Sequence, residues 1–185
     1  MTDVVRRPST RDAMVAAAEA ELRTSGMLSL DSAARAAGVT KPGLMYHFST
    51  KEELMTAVLD RVLTRYEVQL TAALGAPDFA DAPVADRMRA YVGWACAGEC
   101  ESGDLVMFAD PRLRESLTQH WAERIEPWLH VPDDVPAEHR AALLTARLLA
   151  DGVWFNLASD LLPLDAAALD GVRAAALAML ETVDA

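Results

Sequence analysis

The residues from Ser29 to Phe48, SLDSAARAAGVTKPGLMYHF, constrain this chain more than any other stretch. They predict two short helices around a tight turn, because Gly38 favours the left-handed backbone that ends a helix and Thr40 can cap the next one. The second helix, of about seven residues, has only Leu44 and Phe48 at the spacing of an inward face. Its other side chains are suited to contact with another molecule. This pattern is typical of a helix-turn-helix, which offers its second helix to the major groove of DNA.

The charge distribution agrees with a local DNA-binding surface on an acidic protein. Of 185 residues, 17 are basic and 28 are acidic, so the formal net charge is −11. Residues 1–70 hold nine basic and nine acidic side chains, whereas residues 71–185 hold eight and nineteen. A general nucleic-acid coat protein is disfavoured, and a sequence-specific binder needs only a local positive face. Many acidic proteins bind no DNA, so the charge asymmetry supports this interpretation without establishing it.

The rest of the chain predicts an all-α fold of about nine helices. Alanine is abundant, and glycine and proline fall mostly at joints between apolar stripes of helical spacing. The predicted segments are a first helix at 10–25, the two motif helices, a long helix after residue 50, and helices near 83–97, 103–109, 111–130, 137–160 and 166–183. The long helix can begin with a capping box of Thr50 and Glu53, or of Ser49 and Glu52. We therefore divide the chain into a head at 1–50, a connecting helix at 51–74 and a helical body at 75–185.

Targeting and cofactor signals are missing from the sequence. The N-terminus does not read as a signal peptide, and no apolar run approaches the 20 or so residues of a membrane span. Two cysteines cannot form a disulfide framework, so a reduced, cytoplasmic setting is expected. His120, His130 and His139 show no metal-binding spacing, and we expect neither a metal nor a cofactor.

Two weaker features each allow two interpretations. Cys96 and Cys100 share one helical face and could form a thiol switch or a soft-metal site, but buried structural thiols are the more common case. Arg6 and Arg7 could contact a DNA backbone or minor groove, or they could belong to an ordinary solvated terminus.

The segment from the first helix through Leu54 resembles the TetR family of bacterial transcriptional regulators. The resemblance rests on Ala17-Ala18, Gly26, Ser29-Leu30, Ala37-Gly38-Val39, Thr40-Lys41, Leu44, His47-Phe48 and Lys51-Glu52-Glu53-Leu54. The family implies that Ser29, Thr40, Tyr46, His47 and Lys51 lie near DNA phosphates, and that Lys41, Pro42 and Gly43 face base edges. A lysine can donate to guanine acceptors, and a hydroxyl can donate to a phosphate. Met45 replaces the usual tyrosine and could contact a thymine methyl group.

The resemblance also implies a body that binds a small effector and forms a homodimer. An apolar or aromatic effector could be lined by Tyr91, Trp94, Met107, Phe108, Trp121, Trp128, Trp154 and Phe155, although these residues could equally fill the core. The last two helices carry apolar seams that suit a two-fold interface through Leu148, Phe155, Leu169, Val172, Ala176 and Leu180. The protein would then be a repressor released from a near-palindromic operator by its effector.

Two other classes of protein are alternatives for this sequence. An architectural DNA-binding protein without an effector would show little sequence preference and a steep dependence on salt. A helical enzyme with a merely structural head is the less favoured alternative, because the sequence has no nucleophile elbow, phosphate loop or HExxH motif.

Overall fold

The computed structural model describes residues 10–75, 79, 82–97 and 102–183, and every regular element in these ranges is a helix. The elements are α1 (Thr10–Ser25), α2 (Leu30–Ala36), α3 (Lys41–Met45), α4 (Lys51–Leu74), α5 (Val84–Ala95), a 3-10 helix (Ser102–Phe108), α6 (Arg114–Leu129), α7 (Ala137–Ser159) and α8 (Ala166–Glu181). The predicted all-α fold is therefore confirmed. The segment predicted as a helix at 103–109 is the 3-10 helix, which is kinked at Leu105.

Local signals in the head place its short helices. The hydroxyl of Ser29 accepts a hydrogen bond from the Ser32 backbone N–H, so α2 begins there. Gly38 has φ +67°, a left-handed conformation that a side chain would disfavour, and the chain turns at this residue. Thr40 then caps α3, and a proline follows in the first turn, where its missing N–H costs nothing. The turn thus fixes the angle at which α3 leaves the head.

Helix α4 connects the head to the body without a break. Leu54, Met55 and Val58 on its first half belong to the same buried cluster as the core of the head. Tyr66 and Leu70 on its second half belong to a second buried cluster, formed with the helices of the body. Because one continuous helix contributes to both clusters, a movement of the body can be transmitted to the head.

The body packs α5 and α8 against α7, and α5 and α6 against α4. The 3-10 helix lies between head and body, in contact with α1, α4, α6 and α7. Its Val106 and Met107 are buried in the cluster that contains the core of the head. None of the helices described has both the length and the apolar character to cross a membrane.

Candidate nucleic-acid interface

Helix α3 and the turn after it separate an inward face from an outward one. Leu44 and Phe48 are fully buried, whereas Tyr46 is 87% exposed and Met45 is 41% exposed. The rings of Tyr46 and His47 meet edge to face, with centroids 5.2 Å apart. The helix itself ends at Met45, so it is shorter than the sequence predicted, and Tyr46 and His47 lie in the turn that follows. The exposed aromatic ring presents apolar surface to water, and packing within the core of the monomer does not offset this cost.

The small residues at the start of α3 support its cap. The Thr40 hydroxyl accepts a hydrogen bond from the Gly43 N–H at 3.2 Å. A Cβ added at Gly43 would lie 3.1 Å from the same hydroxyl oxygen, so a larger residue would press on the cap. Pro42 is exposed beside it. Gly43 is thus explained by the geometry of the cap, and it also lets another molecule approach the backbone closely.

Two predicted DNA-contacting lysines have carboxylate partners in the structure. Lys41 Nζ lies 2.9 Å from Asp31 Oδ2, and both side chains are well exposed. Lys51 Nζ lies 2.5 Å from Asp110 Oδ2, where the carboxylate is 17% exposed. The hydrogen bond from Lys51 is the main reason that the pKa of Asp110 is lowered from its usual value. Asp110 belongs to the body, so this ion pair joins the start of α4 to the segment after the 3-10 helix.

The cap of α4 uses Thr50 and Glu53, the first of the two predicted pairs, and Ser49 is an additional partner of Glu53. The Thr50 hydroxyl accepts from the Glu53 N–H at 3.1 Å, as the first alternative required. The Glu53 carboxylate, however, accepts from the backbone N–H of Ser49 at 2.7 Å and from the Ser49 hydroxyl. These hydrogen bonds lower the pKa of Glu53, the Ser49 hydroxyl having the largest effect. The start of α4 is therefore held next to the turn that follows α3.

Aromatic side chains of the body gather around Tyr66 of α4, a residue that was not among the predicted pocket residues. The indole N–H of Trp154 donates to the Tyr66 hydroxyl at 2.9 Å. The Tyr66 ring also contacts Trp94 and Trp121, with centroids 4.5 and 5.7 Å away. Trp121 and Trp154 pack against both buried clusters. The sequence signal for this cluster is Tyr66 itself, an aromatic residue with a hydroxyl group on the long helix α4.

Two further polar contacts extend from these rings. The Trp94 indole N–H donates to the Gln69 side-chain oxygen at 2.8 Å. The Tyr91 hydroxyl donates to Asp151 at 2.6 Å. The structure thus brings Tyr91, Trp94, Trp121 and Trp154 together as one aromatic cluster, joined by Tyr66 of α4.

The other predicted pocket residues lie elsewhere. Trp128 is stacked on Phe79, with centroids 4.3 Å apart. Met107 is buried in the core of the head, while Phe108 and Phe155 are 43% and 44% exposed. Trp128 and Met107 nevertheless belong to the two buried clusters against which Trp121 and Trp154 pack, whereas Phe108 and Phe155 are partly open to solvent.

The residues predicted for a dimer interface divide between core and surface. Ala176 and Leu180 are fully buried within the protomer. Leu148 is 59% exposed and Phe155 is 44% exposed, while Leu169 and Val172 are half-buried. Leu144 and Met179 add further exposed apolar area on the same two helices. Only the exposed members are available to a second copy of the chain.

A buried ion-pair network joins the head, the connecting helix and the body. Arg65 of α4 donates through one terminal nitrogen to Glu19 of α1 at 2.7 Å, and through the other to Asp104 at 2.6 Å. Arg61 donates to the second oxygen of Glu19 at 2.8 Å. Glu19 and Asp104 are 3% and 1% exposed. The guanidinium of Arg65 therefore ties α1 to the 3-10 helix.

A groove of about 590 Å³ opens between α1 and α4, beside this network. It is lined in large part by charged side chains, including Arg11, Asp60, Arg61 and Arg65, and by none of the predicted pocket aromatics.

Some sequence-based candidates gain no support as sites. Cys96 is half-buried, and burial raises the pKa of its thiol more than the nearby charge of Arg173 lowers it. The raised pKa disfavours a reactive thiolate. Cys100, Arg6 and Arg7 lie outside the described residues. Among the residues that are described, no group of three or more histidine, cysteine or acidic side chains could hold a metal ion.

Comparisons with known proteins support both the helix-turn-helix in the head and the all-α fold. Residues 15–58, about a quarter of the chain, match the model of the bacterial regulatory proteins of the tetR family. A Rhodococcus protein described as a TetR-family transcriptional regulator shares the fold with TM-score 0.68 and 17% identity, over 95% of this chain and 99% of that one. No curated protein matches the chain by sequence.

Two further solved structures cover 94% of this chain and 96% of their own. The multidrug binding protein EbrR, solved with imidazole, has TM-score 0.59 and 23% identity. NalD, the secondary repressor of the MexAB-OprM multidrug efflux pump in Pseudomonas aeruginosa, has TM-score 0.54 and 20% identity. These likenesses establish a shared fold. Together with the family match over residues 15–58, they support the resemblance to the TetR family of bacterial transcriptional regulators.

Proposed function

We propose that this protein is a repressor that binds a near-palindromic operator through α3 and is released by a small effector. The observation that carries the DNA-binding part is the division of α3, with Leu44 and Phe48 fully buried and Tyr46 87% exposed. The proposed contacts to phosphates come from Ser29, Thr40, Tyr46, His47 and Lys51, and those to bases from Lys41, Pro42, Gly43 and Met45.

The experiment that tests this proposal is selection of bound duplexes from random-sequence DNA. We expect a conserved, near-palindromic sequence, because two copies of α3 would read successive major grooves. Binding of the selected duplex and of random duplex should be compared at one moderate salt concentration, since non-specific affinity depends on salt. Equal weak affinity for both duplexes would contradict the proposal and favour an architectural protein.

Replacing Tyr46 with alanine should weaken binding of the selected duplex about tenfold or more without unfolding the head. The ring is exposed and contributes little to the core, so its removal changes stability by less than about 0.5 kcal/mol. Binding titrations and thermal melting of Tyr46→Ala measure the two effects. Val68→Ala, at a 66% exposed site on α4, is the matched control and should bind as wild type does. A melting temperature lowered by Tyr46→Ala would instead assign the ring to the core.

The proposed effector is an apolar or aromatic small molecule bound beside the aromatic cluster. Trp121 and Trp154 pack against both buried clusters, so a ligand that shifts them would also shift Tyr66 on α4. Operator and effector binding would then be coupled and reciprocal. Thermal melting against a metabolite panel tests this step, because a specific ligand raises the melting temperature by mass action. Multidrug binding and efflux-pump repression are recorded for two proteins of the same fold, which favours an apolar ligand class.

The proposed homodimer forms through the exposed apolar side of α7 and α8. Leu144, Leu148 and Phe155 are at least 38% exposed and follow one another on one side of α7, within about 40° of each other around its axis. Ala176 and Leu180 are left out of this interface, because the protomer itself buries them.

Replacing Leu148 with glutamate should convert the dimer to a monomer at micromolar concentration. The substitution places a charge in the centre of an apolar contact, where it has no partner. Sedimentation equilibrium measures the mass of wild type and variant. Val68→Glu, at another exposed apolar site, should leave the mass unchanged. A wild-type protein that is monomeric at tens of micromolar would contradict the proposed dimer.

A further inference from the structure

We propose that Asp110 restrains DNA binding by holding Lys51, and that a DNA phosphate must replace the Asp110 carboxylate when the operator binds. This inference rests on the proposed function, because it assigns Lys51 to the phosphate backbone. It goes further by naming a carboxylate of the body that competes with DNA for the same ammonium group.

The position of Lys51 makes the competition possible. Lys51 is the first residue of α4 and follows Ser49 and Thr50 directly. It lies three residues after Phe48, which is fully buried and anchors the end of α3. Its side chain is 35% exposed, so it pairs with the body while remaining partly open to solvent. Lysine has three N–H donors, but its position is fixed here by one carboxylate oxygen 2.5 Å away.

Asp110 is held in place independently of Lys51. Its other carboxylate oxygen accepts from the Arg112 backbone N–H at 3.0 Å, which orients the side chain within the turn before α6. The hydrogen bond from Lys51, followed by that from Arg112, keeps the pKa of Asp110 below its usual range, so the group is an anion at neutral pH. A phosphate approaching Lys51 therefore meets a fixed negative charge as well as an occupied lysine.

The segment that carries Asp110 follows an element packed against both the body and the head. It follows the 3-10 helix, which contacts α6 and α7 and inserts Val106 and Met107 into the core of the head. Asp104, at the other end of this helix, is fixed to Arg65 of α4. A rearrangement of the body that withdraws residue 110 would free Lys51 for a phosphate, and one that presses residue 110 onto α4 would hold Lys51 back.

The test is a double-mutant cycle on Lys51 and Asp110 with the duplex that the wild-type protein selects from random DNA. At about 0.1 M salt, we expect Asp110→Asn to tighten binding about fivefold per protomer, because a phosphate no longer displaces an ion pair. Asparagine can still accept from Arg112, so the turn is kept. Lys51→Met should weaken binding about tenfold and reduce the salt slope by about one per protomer.

The double variant separates the proposed competition from a general charge effect. If Asp110 acts through Lys51, adding Asp110→Asn to Lys51→Met changes the affinity by less than about twofold. Asp133→Asn, which removes a fully exposed carboxylate elsewhere in the body, is the control and should bind as wild type does. Unchanged or weaker binding by Asp110→Asn, or an equal gain in the Lys51→Met background, would overturn the inference. In either case a selected, tightly bound duplex would leave the DNA-binding function standing, whereas the lack of any selected duplex would remove both.

A second measurement needs no substitution. The pKa of the Asp110 carboxyl, followed by NMR, should rise towards its usual value when the selected duplex is added, because its lysine partner has been taken by a phosphate. An Asp110 pKa that stays equally low in the complex would show that the ion pair persists on DNA and would contradict the proposal.

Discussion

Replacing Phe48 with alanine should lower the free energy of unfolding of the head by about 3–5 kcal/mol and abolish operator binding. Phe48 is fully buried in the cluster that joins the head to α4, and the Arg11 guanidinium lies 4.7 Å above its ring. The substitution leaves a cavity and removes the cation–π contact. Because Leu44 and Phe48 are the inward anchors of the reading helix, α3 would lose its fixed angle to α2.

Amide hydrogen exchange can locate this loss. We expect protection to fall at Ala33, Ala34 and Leu44 in the head, while Leu143 and Ala150 in the second buried cluster stay protected. Leu161→Ala is the control, since its side chain is 66% exposed and its removal should cost less than about 1 kcal/mol. A uniform loss of protection in head and body would show that the two clusters unfold as one unit. Unchanged operator binding by Phe48→Ala would contradict the assigned role of α3.

The head could be predicted because its signals are local. Ser29, Gly38 and Thr40 act on backbone groups only a few residues away, so their spacing in the sequence fixes where the helices begin and end. The helical spacing of Leu44 and Phe48 is also a local signal, and it predicted them as inward residues. Both are fully buried. Tyr46 was expected to point away from them, and its exposure confirms that expectation.

The contacts between α4 and the body could not be predicted, because each joins residues that are distant in sequence. Lys51 and Asp110 are 59 positions apart, and Tyr66 and Trp154 are 88 apart. Lys51 at the start of a helix opposes the helix dipole, which favours an anionic partner, and the family resemblance implied a DNA phosphate. In the structure a carboxylate from the body lies beside it. Sequence reasoning could indicate that an anion was needed, but only the fold shows which anion is near.

The 3-10 helix and the surface of α8 show a different limit. Ser102–Phe108 begins with serine, glycine and aspartate, which are poor helix formers, and its geometry depends on packing among four other helices. The apolar spacing along α8 predicted a seam correctly, but it could not distinguish a seam within the protomer from one between protomers. Ala176 and Leu180 pack inside, whereas Met179 is partly exposed.

Replacing Glu19 with glutamine should lower the free energy of unfolding by about 2 kcal/mol at neutral pH. Glu19 lies on the buried stripe of α1 with Met14, Ala18 and Leu22, a position where an acidic residue requires a buried partner. Breaking a buried pair typically costs about 3–5 kcal/mol. The arginines that bind Glu19 are partly exposed, and Arg65 keeps Asp104 as a partner, so we expect a smaller loss.

The pH dependence of this loss separates a charge effect from a packing effect. Burial raises the pKa of Glu19, but Arg65 and then Arg61 lower it by more, so the pKa lies below its usual value of 4.5. A carboxyl whose pKa is lower in the folded state stabilises the protein above about pH 4.5, and this contribution is lost as the pH falls through the folded-state pKa. Glu19→Gln lacks the titrating group. The difference in unfolding free energy between wild type and variant should therefore shrink as the pH is lowered from about 7 to about 3.

Urea unfolding followed by circular dichroism at both pH values measures this difference. Glu126→Gln is the control, because the Glu126 pair with His130 is more than half exposed on both sides and should contribute less than about 0.5 kcal/mol. An equal loss for Glu19→Gln at both pH values would mean that shape, not charge, holds α1 against α4. A loss that disappears in acid would instead show that the carboxylate between Arg61 and Arg65 fastens the head to the connecting helix. Acid would then weaken the attachment of α1 to α4, which Glu19 makes through Arg61 and Arg65.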